Sequence, residues 1–422
     1  MFKKILFENG LRAIFVGDKK AQTVTFLVMV KTGSKYEKES EKGISHFLEH
    51  LHFKGTKKRK TPQEVAETLD RVGGVYNAST SQETTIYWCK VMAKHFDLAL
   101  DWLSDILLNS CFPEEEIEKE KGVILEELRM RRDHPISYVE DLWYKLLYGN
   151  QPAGWEIVGE EKTIKAMARQ MFLDYKKSQY VANNMLFVAA GNFLEEEIKA
   201  KIKKYFLKLK KGKPREKEKV REEQKRPELL VERRPLDQTH LLVGFRGVNL
   251  FSPQKYSQEV LAALLGGMMS SRLFVEIREK MGIAYYVNCE SELNPDTGFL
   301  VCRAGLKNEK VLAGLEKILE EFKKIAKGKV GSKELEKAKE NLKGKLAISL
   351  ESPEAKAIFF AQQELLEGKI KTPKMIFQKI DKVTVKDIVS FAKKYFRPEN
   401  LNLAMLTPLK EEKKLKGLLE KF

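Results

Sequence analysis

Two histidines four residues apart carry the clearest chemical signal in the sequence, His46 and His50 in the run HFLEH at 46–50. If 44–53 is helical, residues at i and i+4 lie on one face, so both imidazoles could share a metal ion. Glu49 lies three residues after His46 on that face and could hold a water beside the ion. Zinc bound by two nitrogens and one carboxylate keeps an open position for water. Glu49 could then take the proton of this water as it attacks a peptide carbonyl.

Such a site needs a third protein ligand from another part of the chain. The segment 114–130 predicts an amphipathic helix whose apolar stripe lies on one side. Glu120 and Glu127 are seven residues apart, which is two helical turns, so both lie together on another face. On spacing alone, either glutamate could face the histidine pair.

The remaining histidines lack metal-ligand spacing. His52 is two residues past His50 and would point elsewhere on a helix, so we interpret it as a non-ligand. His95, His134 and His240 are interpreted as structural. The 4 cysteines show no CxxC spacing and are interpreted as reduced thiols of the core.

The elements that would position these residues occur in two similar halves. The stretch 209–228 is charged and contains two prolines, which is typical of a linker between residues 1–208 and 229–422. PEEEIEKEKGVILEEL (113–128) matches GSKELEKAKENLKGKL (331–346) without a gap, and 163–191 runs parallel to 384–407. A duplicated α+β unit is therefore predicted. Apolar and alternating patterns predict strands at 22–30, 84–92, 185–190 and 240–246.

The two copies differ where the chemistry would lie. In the ungapped match, Glu120 and Glu127 stand opposite Ala338 and Lys345. The last histidine of the chain is His240, so the second half cannot hold a bis-histidine site. We therefore predict a zinc-binding catalytic half at 1–208 and a metal-free homologous half at 229–422.

Composition limits the alternatives. A chain of 422 residues with 43% hydrophobic residues can form two to four packed domains. The N-terminal apolar stretch is interrupted by polar residues, and no apolar run reaches membrane-spanning length, so a cytoplasmic protein is expected. The net charge of +17 raises the hypothesis of a nucleic-acid binder. Because lysine alternates with glutamate along helical stretches such as 307–329, solvated helix faces explain the charge better.

The motif order and spacing resemble a known family. HFLEH followed by FKGT (53–56), with Glu127 after 76 intervening residues, resembles the inverzincin (H-x-x-E-H) peptidases of the pitrilysin type, family M16. This family includes insulin-degrading enzyme and the mitochondrial processing peptidase. The resemblance implies that Glu127 is the third zinc ligand, with one Zn²⁺ per chain. It also implies that Glu120 supports catalysis without binding the metal.

Two further segments extend the resemblance over nearly the whole chain. GGVYNASTSQET (73–84) is similar to a family edge strand that holds substrate as an added β-strand, which implies that Asn77, Ala78 and Ser79 bind substrate. LGGMMSSRLFVEIREKMGIAYYV (265–287) is similar to a family element that acts on the bound peptide, which implies functional roles for Arg278 and Tyr285.

The combined expectation is an α+β fold of two homologous halves, each a mostly antiparallel sheet covered by helices. The length resembles the small single-cassette members, which implies a homodimer whose two chains enclose a chamber. The expected function is zinc-dependent hydrolysis of unfolded peptides, with no nucleic-acid or membrane partner. The alternative is a non-catalytic peptide-binding or scaffold subunit of a processing-peptidase-like complex.

Overall fold

The computed structural model describes residues 2–422. Packing divides the chain into two compact units. Unit 1 contains residues up to Met130 together with Trp155–Glu218 and Ser349–Ile370, and unit 2 contains Arg131–Gly154, Lys219–Ile348 and Lys371–Phe422. Within residues 2–422, no helix is long and apolar enough to cross a membrane.

The strands follow the predicted β patterns. Thr23–Val30, Thr85–Met92, Met185–Gly191 and Gln238–Arg246 confirm the four predicted strands, with ends shifted by no more than a few residues. In chain order the strands are β1 Lys3–Leu6, β2 Arg12–Gly17, β3 Thr23–Val30, β4 Val75–Thr80, β5 Thr85–Met92, β6 Met185–Gly191, β7 Glu228–Arg233, β8 Gln238–Arg246, β9 Ala284–Leu293, β10 Gly298–Lys307 and β11 Leu401–Thr407.

Two helices matter most for the site. Ile44–Leu51 lies in the segment 44–53 that the histidine spacing requires to be helical, and Glu114–Asp133 covers the predicted amphipathic helix 114–130. In chain order the α-helices are α1 Ile44–Leu51, α2 Pro62–Asp70, α3 Phe96–Asn109, α4 Glu114–Asp133, α5 Pro135–Tyr148, α6 Glu161–Ala166, α7 Arg169–Gln179, α8 Glu195–Phe206, α9 Lys255–Gly266, α10 Val311–Ala326, α11 Ser332–Ser349, α12 Pro353–Gln362, α13 Pro373–Asp381, α14 Val385–Tyr395 and α15 Glu412–Glu420. Phe274–Lys280 and Gln363–Glu367 are π-helical.

The two sheets share one strand order. Among the described residues, the sheet of unit 1 runs β1-β2-β6-β3-β5-β4 and that of unit 2 runs β7-β11-β8-β10-β9. The parallel pairs are β2 with β6 in unit 1 and β7 with β11 in unit 2, which in each repeat join the first strand to the last. The other neighbouring strands of the two repeats are antiparallel. The predicted α+β fold of two homologous, mostly antiparallel halves is confirmed, and β1 is an addition to the first copy.

Helices cover both faces of each sheet, because alternate residues of each strand are buried on opposite sides. In β3, Phe26 and Val28 belong to the core that contains α1 and α3, whereas Leu27 and Met29 pack in the core that contains α12. In unit 2, Leu242 of β8 packs in a core with Trp143 of α5. Each sheet therefore has one face covered by a helix from a distant stretch of the chain.

This covering interleaves the chain. Helix α5 precedes the charged segment 209–228 yet belongs to unit 2, and α12 follows it yet belongs to unit 1. The segment itself divides between the units at Glu218. On unit 1, Arg215 forms an ion pair with Glu41 (2.6 Å). The division into 1–208, 209–228 and 229–422 stays a prediction about the copies along the sequence, while the packed units combine segments from both.

Candidate metal centre

Helix α1 is held at its N-terminus by a buried carboxylate. Gly43, which precedes the helix, has φ of 92°, a left-handed conformation that glycine adopts without strain. The Glu37 carboxylate accepts hydrogen bonds from the backbone N–H groups of Gly43 (2.7 Å) and Ser45 (2.9 Å). These bonds satisfy donors that lack a partner within the first helical turn. Burial raises the pKa of Glu37 to about 7, although the two backbone hydrogen bonds lower it.

The sequence of α1 separates a packing face from a polar face. Phe47, Leu48 and Leu51 are fully buried in the core of unit 1. On the polar face, the ring centroids of His46 and His50 lie 4.6 Å apart. The predicted i, i+4 pair therefore occurs on one helical face, where both imidazoles can reach a shared point.

Helix α4 brings Glu127 to this pair. Its Oε2 lies 3.6 Å from Nε2 of His46 and 3.7 Å from Nε2 of His50. One ligand atom from each of these residues can be chosen so that all lie within 4.8 Å of one another. Donors bound tetrahedrally to zinc at 2.0–2.1 Å lie about 3.3 Å apart, so small side-chain shifts suffice to bind the ion. The nitrogen and oxygen donors are those that zinc accepts, and the residues fit the metal.

Glu120 lies on the same helix but faces His50 from the other side of the ring. Its Oε1 is 2.8 Å from Nδ1 of His50, and its Oε2 is 2.6 Å from Nζ of Lys54. Although burial opposes the ionised form, the hydrogen bonds to His50 and Lys54 hold the pKa of Glu120 below its ordinary value. An ionised carboxylate only accepts, so Nδ1 of His50 carries a proton, and in the neutral ring the Nε2 lone pair would face Glu127.

The protonation of His46 also suits a metal ligand. Burial lowers the pKa of His46 to about 3, and the neighbouring His50 adds to this effect. His46 is therefore neutral at physiological pH, which leaves a nitrogen lone pair to bind a cation. Burial also lowers the pKa of His50, but its hydrogen bond to Glu120 and the nearby carboxylates raise the pKa on balance. Because only the neutral ring binds a metal, metal binding would compete with protonation of His50.

Glu49 lies on α1 with its carboxylate held by the edge of the sheet. The Thr80 hydroxyl donates a hydrogen bond of 2.5 Å to Oε2 of Glu49. Burial raises the pKa of Glu49, although the Thr80 hydrogen bond lowers it. A raised pKa brings a carboxylate closer to the range of an effective general base. Glu49 is buried, with 9% of its surface exposed.

The sequence does not predict the role of Thr80. The similarity of 73–84 to the family edge strand implies substrate contacts for Asn77, Ala78 and Ser79 but no task for the next residue. Strand alternation could have found it, because Thr80 shares a face with Tyr76 and Ala78, and both of these pack against the core that contains α1.

Neighbours of the ligand residues point away from the cluster. Glu126 has a side chain that is 61% exposed and forms an ion pair with Arg129. His52 is fully buried and contacts the carbonyl oxygen of Leu48 through Nδ1 (2.8 Å). Its ring stacks on Tyr180. Glu126 thus lies on the surface and His52 lies in the core, whereas the side chains of His46, His50 and Glu127 converge on one point.

The predicted substrate strand is β4, the outermost strand of the unit 1 sheet. Asn77 and Ser79 are exposed, and Ala78 is half-buried. The Asn77 side chain accepts a hydrogen bond from the backbone N–H of Ala78 (2.8 Å). An outermost strand offers backbone groups to which an extended peptide can pair.

Arg278 and Tyr285 belong to unit 2. Arg278 is an exposed residue of the π-helical turn, and its guanidinium lies 4.9 Å from the Phe274 ring centre. Tyr285 lies near the start of β9 and is 74% exposed, which is high for a residue with a large aromatic ring. Both side chains are accessible to a ligand.

Comparison with known proteins places the chain. The insulinase (peptidase family M16) model matches residues 12–161, and the peptidase M16 inactive-domain model matches residues 166–342. A relative from Bacillus subtilis described as an uncharacterized zinc protease is 36% identical over 97% of this chain and 98% of its own length. The chain belongs to the M16 peptidase family. The resemblance stated from the HFLEH segment is thereby confirmed.

Other relatives of this M16 protein have the same extent. An uncharacterized zinc protease of Rickettsia felis is 34% identical over 92% of this chain and 93% of its own. A solved structure of a protease from Helicobacter pylori superposes with a TM-score of 0.90 at 25% identity, covering 97% of this chain and 99% of that one. A peptidase M16 inactive domain from Pseudomonas fluorescens shares the fold, with a TM-score of 0.88 at 17% identity over 97% and 98% of the two chains.

Proposed function

We propose that this M16 protein is a zinc-dependent endopeptidase or oligopeptidase that hydrolyses unfolded peptides bound as an added strand on β4. The observation that carries the proposal is the convergence of Nε2 of His46 and of His50 on one carboxylate oxygen of Glu127. Glu49 lies on the same helix, and Thr80 at the end of β4 donates to it. Metal ligands, base and peptide-binding edge thus meet in one unit.

Each residue has a defined task in this proposal. His46, His50 and Glu127 would hold one Zn²⁺ per chain, which would supply Lewis-acid polarisation of the carbonyl and activation of water. Glu120 fixes the tautomer and orientation of His50. Glu49 accepts the proton of the attacking water and can return it to the leaving amine. Thr80 orients the Glu49 carboxylate.

The edge strand explains why unfolded peptides are the proposed substrates. A peptide that pairs with β4 through its backbone is recognised without much demand on its sequence, but it must be extended. Asn77, Ala78 and Ser79 lie along the pairing segment. A folded protein offers few free strands, so its folding protects it from cleavage.

The metal-free half contributes through Arg278 and Tyr285 in this proposal. Arginine can bind a substrate carbonyl or carboxylate, and a tyrosine hydroxyl can stabilise the developing oxyanion. Their exposure is consistent with substrate contact. These two roles come from the family resemblance, as does a homodimer with a chamber between its chains. A cytoplasmic location and the absence of nucleic-acid partners stay predictions.

The test combines metal analysis, light scattering and a mass-spectrometric screen of unfolded peptides. We expect about one zinc per chain, a mass near twice 48.7 kDa and cleavage that a chelator stops and zinc restores. A protein that binds peptides but cleaves none at full zinc loading is instead the non-catalytic scaffold subunit. Fully active protein at the monomer mass contradicts the homodimer alone.

A further inference from the structure

A groove lies at the end of β4 opposite to Thr80, on unit 1. It has a volume of about 330 Å³ and is lined by Gly73, Val75, Trp88, Lys90, Met92 and Glu354, among others. Val75 begins β4 and Met92 ends β5, so the groove opens at the edge of the sheet. The tasks assigned to the metal centre leave these residues unused.

The register of the sheet fixes which face of β4 meets this groove. Val75 pairs with Lys90, and Asn77 pairs with Trp88, so these four side chains lie on the face that carries α12. Thr80 points to the opposite face, where it meets Glu49. An added peptide strand alternates its side chains in the same way, so some of them must point toward the groove.

The distance along the strand sets the position in the peptide. Val75 is five residues from Thr80, which corresponds to about 16 Å at 3.3 Å per residue. Because Thr80 marks the position of the catalytic base, a peptide side chain beside Val75 lies about four to six residues from the cleaved bond. Peptides of that length reach both places at once.

The chemistry of the groove favours an apolar side chain. Val75 is 56% exposed and Met92 is 48% exposed, which is unfavourable for two neighbouring apolar side chains unless something covers them. Lys90 and Glu354 form an ion pair at 2.7 Å, so their charges compensate each other. The wall of the groove therefore attracts neither positively nor negatively charged side chains strongly. Trp88 adds a broad, half-buried ring.

We propose that this groove is a specificity subsite that receives an apolar side chain of the bound peptide, four to six residues from the cleaved bond. The inference rests on the proposed function, because it places the peptide on β4. It adds a preference that strand pairing itself cannot supply, since backbone hydrogen bonds are common to all sequences. The preferred substrates are unfolded peptides with leucine or a similar residue at that distance.

The test uses zinc-loaded full-length protein with Glu49→Gln, so that binding is measured without turnover. A fluorescent alanine-rich host peptide carries a single leucine or aspartate, moved one position at a time on both sides of the scissile bond. Fluorescence anisotropy gives the dissociation constant of each peptide. Leucine should bind about tenfold more tightly than alanine at one position in the four-to-six window, as one partly buried side chain predicts.

Two added substitutions separate the subsite from general effects. Val75→Asp should abolish the leucine preference, so that the leucine peptide binds no more tightly than the alanine host. Leu6→Asp is the matched control, because Leu6 is 69% exposed on β1, the outermost strand at the other edge of the same sheet. It should leave the preference intact.

Several results would overturn the subsite. Equal binding of leucine and alanine peptides at all positions would contradict it, and so would the absence of measurable binding. An equal loss of the leucine preference with Val75→Asp and with Leu6→Asp would also contradict it. Cleavage of the host peptide by the unsubstituted protein is followed in parallel. It reports on the peptidase function independently, so a working peptidase without the preference contradicts the subsite alone.

Discussion

Helices α1 and α9 follow corresponding strands of the two repeats, yet their polar residues have opposite environments. Gln258 of α9 is fully buried and saturated: it accepts from the Val248 N–H (2.9 Å) and donates to Ser291 (2.9 Å) and to the Phe299 carbonyl (3.0 Å). On α1, His46 and His50 are partly exposed and direct their Nε2 atoms to a shared carboxylate oxygen.

The helices α4 and α11 extend the contrast. Ala338, opposite Glu120 in the repeat, is fully buried in the core of unit 2. Lys345, opposite Glu127, donates a hydrogen bond to the carbonyl oxygen of Gly267 (2.6 Å). A structural polar residue satisfies its hydrogen bonds inside the fold, whereas a candidate site leaves several acceptors facing one point. The same scaffold supports both outcomes.

The largest expected effect tests the proposed base, Glu49, which lies in the first half. Glu49→Gln should retain zinc, because Glu49 is not a proposed ligand, and should lose about 10²–10⁴-fold in kcat as the proton acceptor disappears. Zinc content and cleavage of one fluorogenic peptide are measured together. Cleavage at the unsubstituted rate would remove Glu49 from the mechanism.

The third ligand is tested against its counterpart in the other half. Glu127→Gln should lower zinc affinity by more than the 10–100-fold typical of losing an outer partner, because it removes a proposed direct ligand. Lys345→Gln, at the matching position of α11, and Glu126→Gln, one residue away, should leave zinc content unchanged. Zinc loss with Glu126→Gln and retention with Glu127→Gln would shift the assignment by one residue.

Glu37, at the N-terminus of α1, should make the folding stability of the protein depend on pH. The pKa of Glu37 in the folded protein is about 7, above the ordinary value of 4.5. Its stabilising contribution is therefore present below pH 4.5 and is lost as the pH rises through 7, by about 3 kcal/mol in total.

Urea unfolding of Glu37→Gln at pH 5 and pH 8 checks this contribution. The variant should lose less stability over this interval than the unsubstituted protein. Glu39→Gln changes an exposed carboxylate of the same loop and serves as the control. The same pH dependence in all three proteins would contradict the raised pKa of Glu37.

Tyr285 tests whether the metal-free half takes part in catalysis. Tyr285→Phe should keep zinc and reduce kcat about a hundredfold, as expected for one lost oxyanion donor. Arg278→Ala should mainly raise KM, because it removes the proposed contact to the bound peptide. If both variants have the kcat and KM of the unsubstituted protein, Tyr285 and Arg278 have no part in the reaction, and catalysis depends on the first half alone.

The smallest effect concerns Thr80, whose hydroxyl donates a hydrogen bond to the proposed base, Glu49. Thr80→Val removes the hydrogen bond to Glu49 with little change in shape, and kcat should fall about tenfold, the equivalent of one hydrogen bond to a charged group. Thr80→Ser should restore the rate, while KM and zinc content stay constant in both. A rise in KM without a fall in kcat would assign Thr80 to peptide binding instead.

The sequence predicted most of what depends on local pattern. The i, i+4 spacing placed His46 and His50 on one face of α1, and apolar or alternating patterns located β3, β5, β6 and β8. The choice of Glu127 over Glu120 depended on the family resemblance, because helical spacing places both on one face. The exchange of α5 and α12 could not be predicted, since an apolar stripe shows that a helix packs but not against which sheet.

That exchange affects how the protein is made. During synthesis the strands of unit 1 emerge early, but the face formed by residues such as Ile14, Val16 and Leu27 is covered by α12. This apolar surface therefore stays open until about residue 370 has left the ribosome, after most of unit 2 has been translated. The nascent chain must be protected from aggregation over that interval, and the finished fold depends on both copies of the repeat.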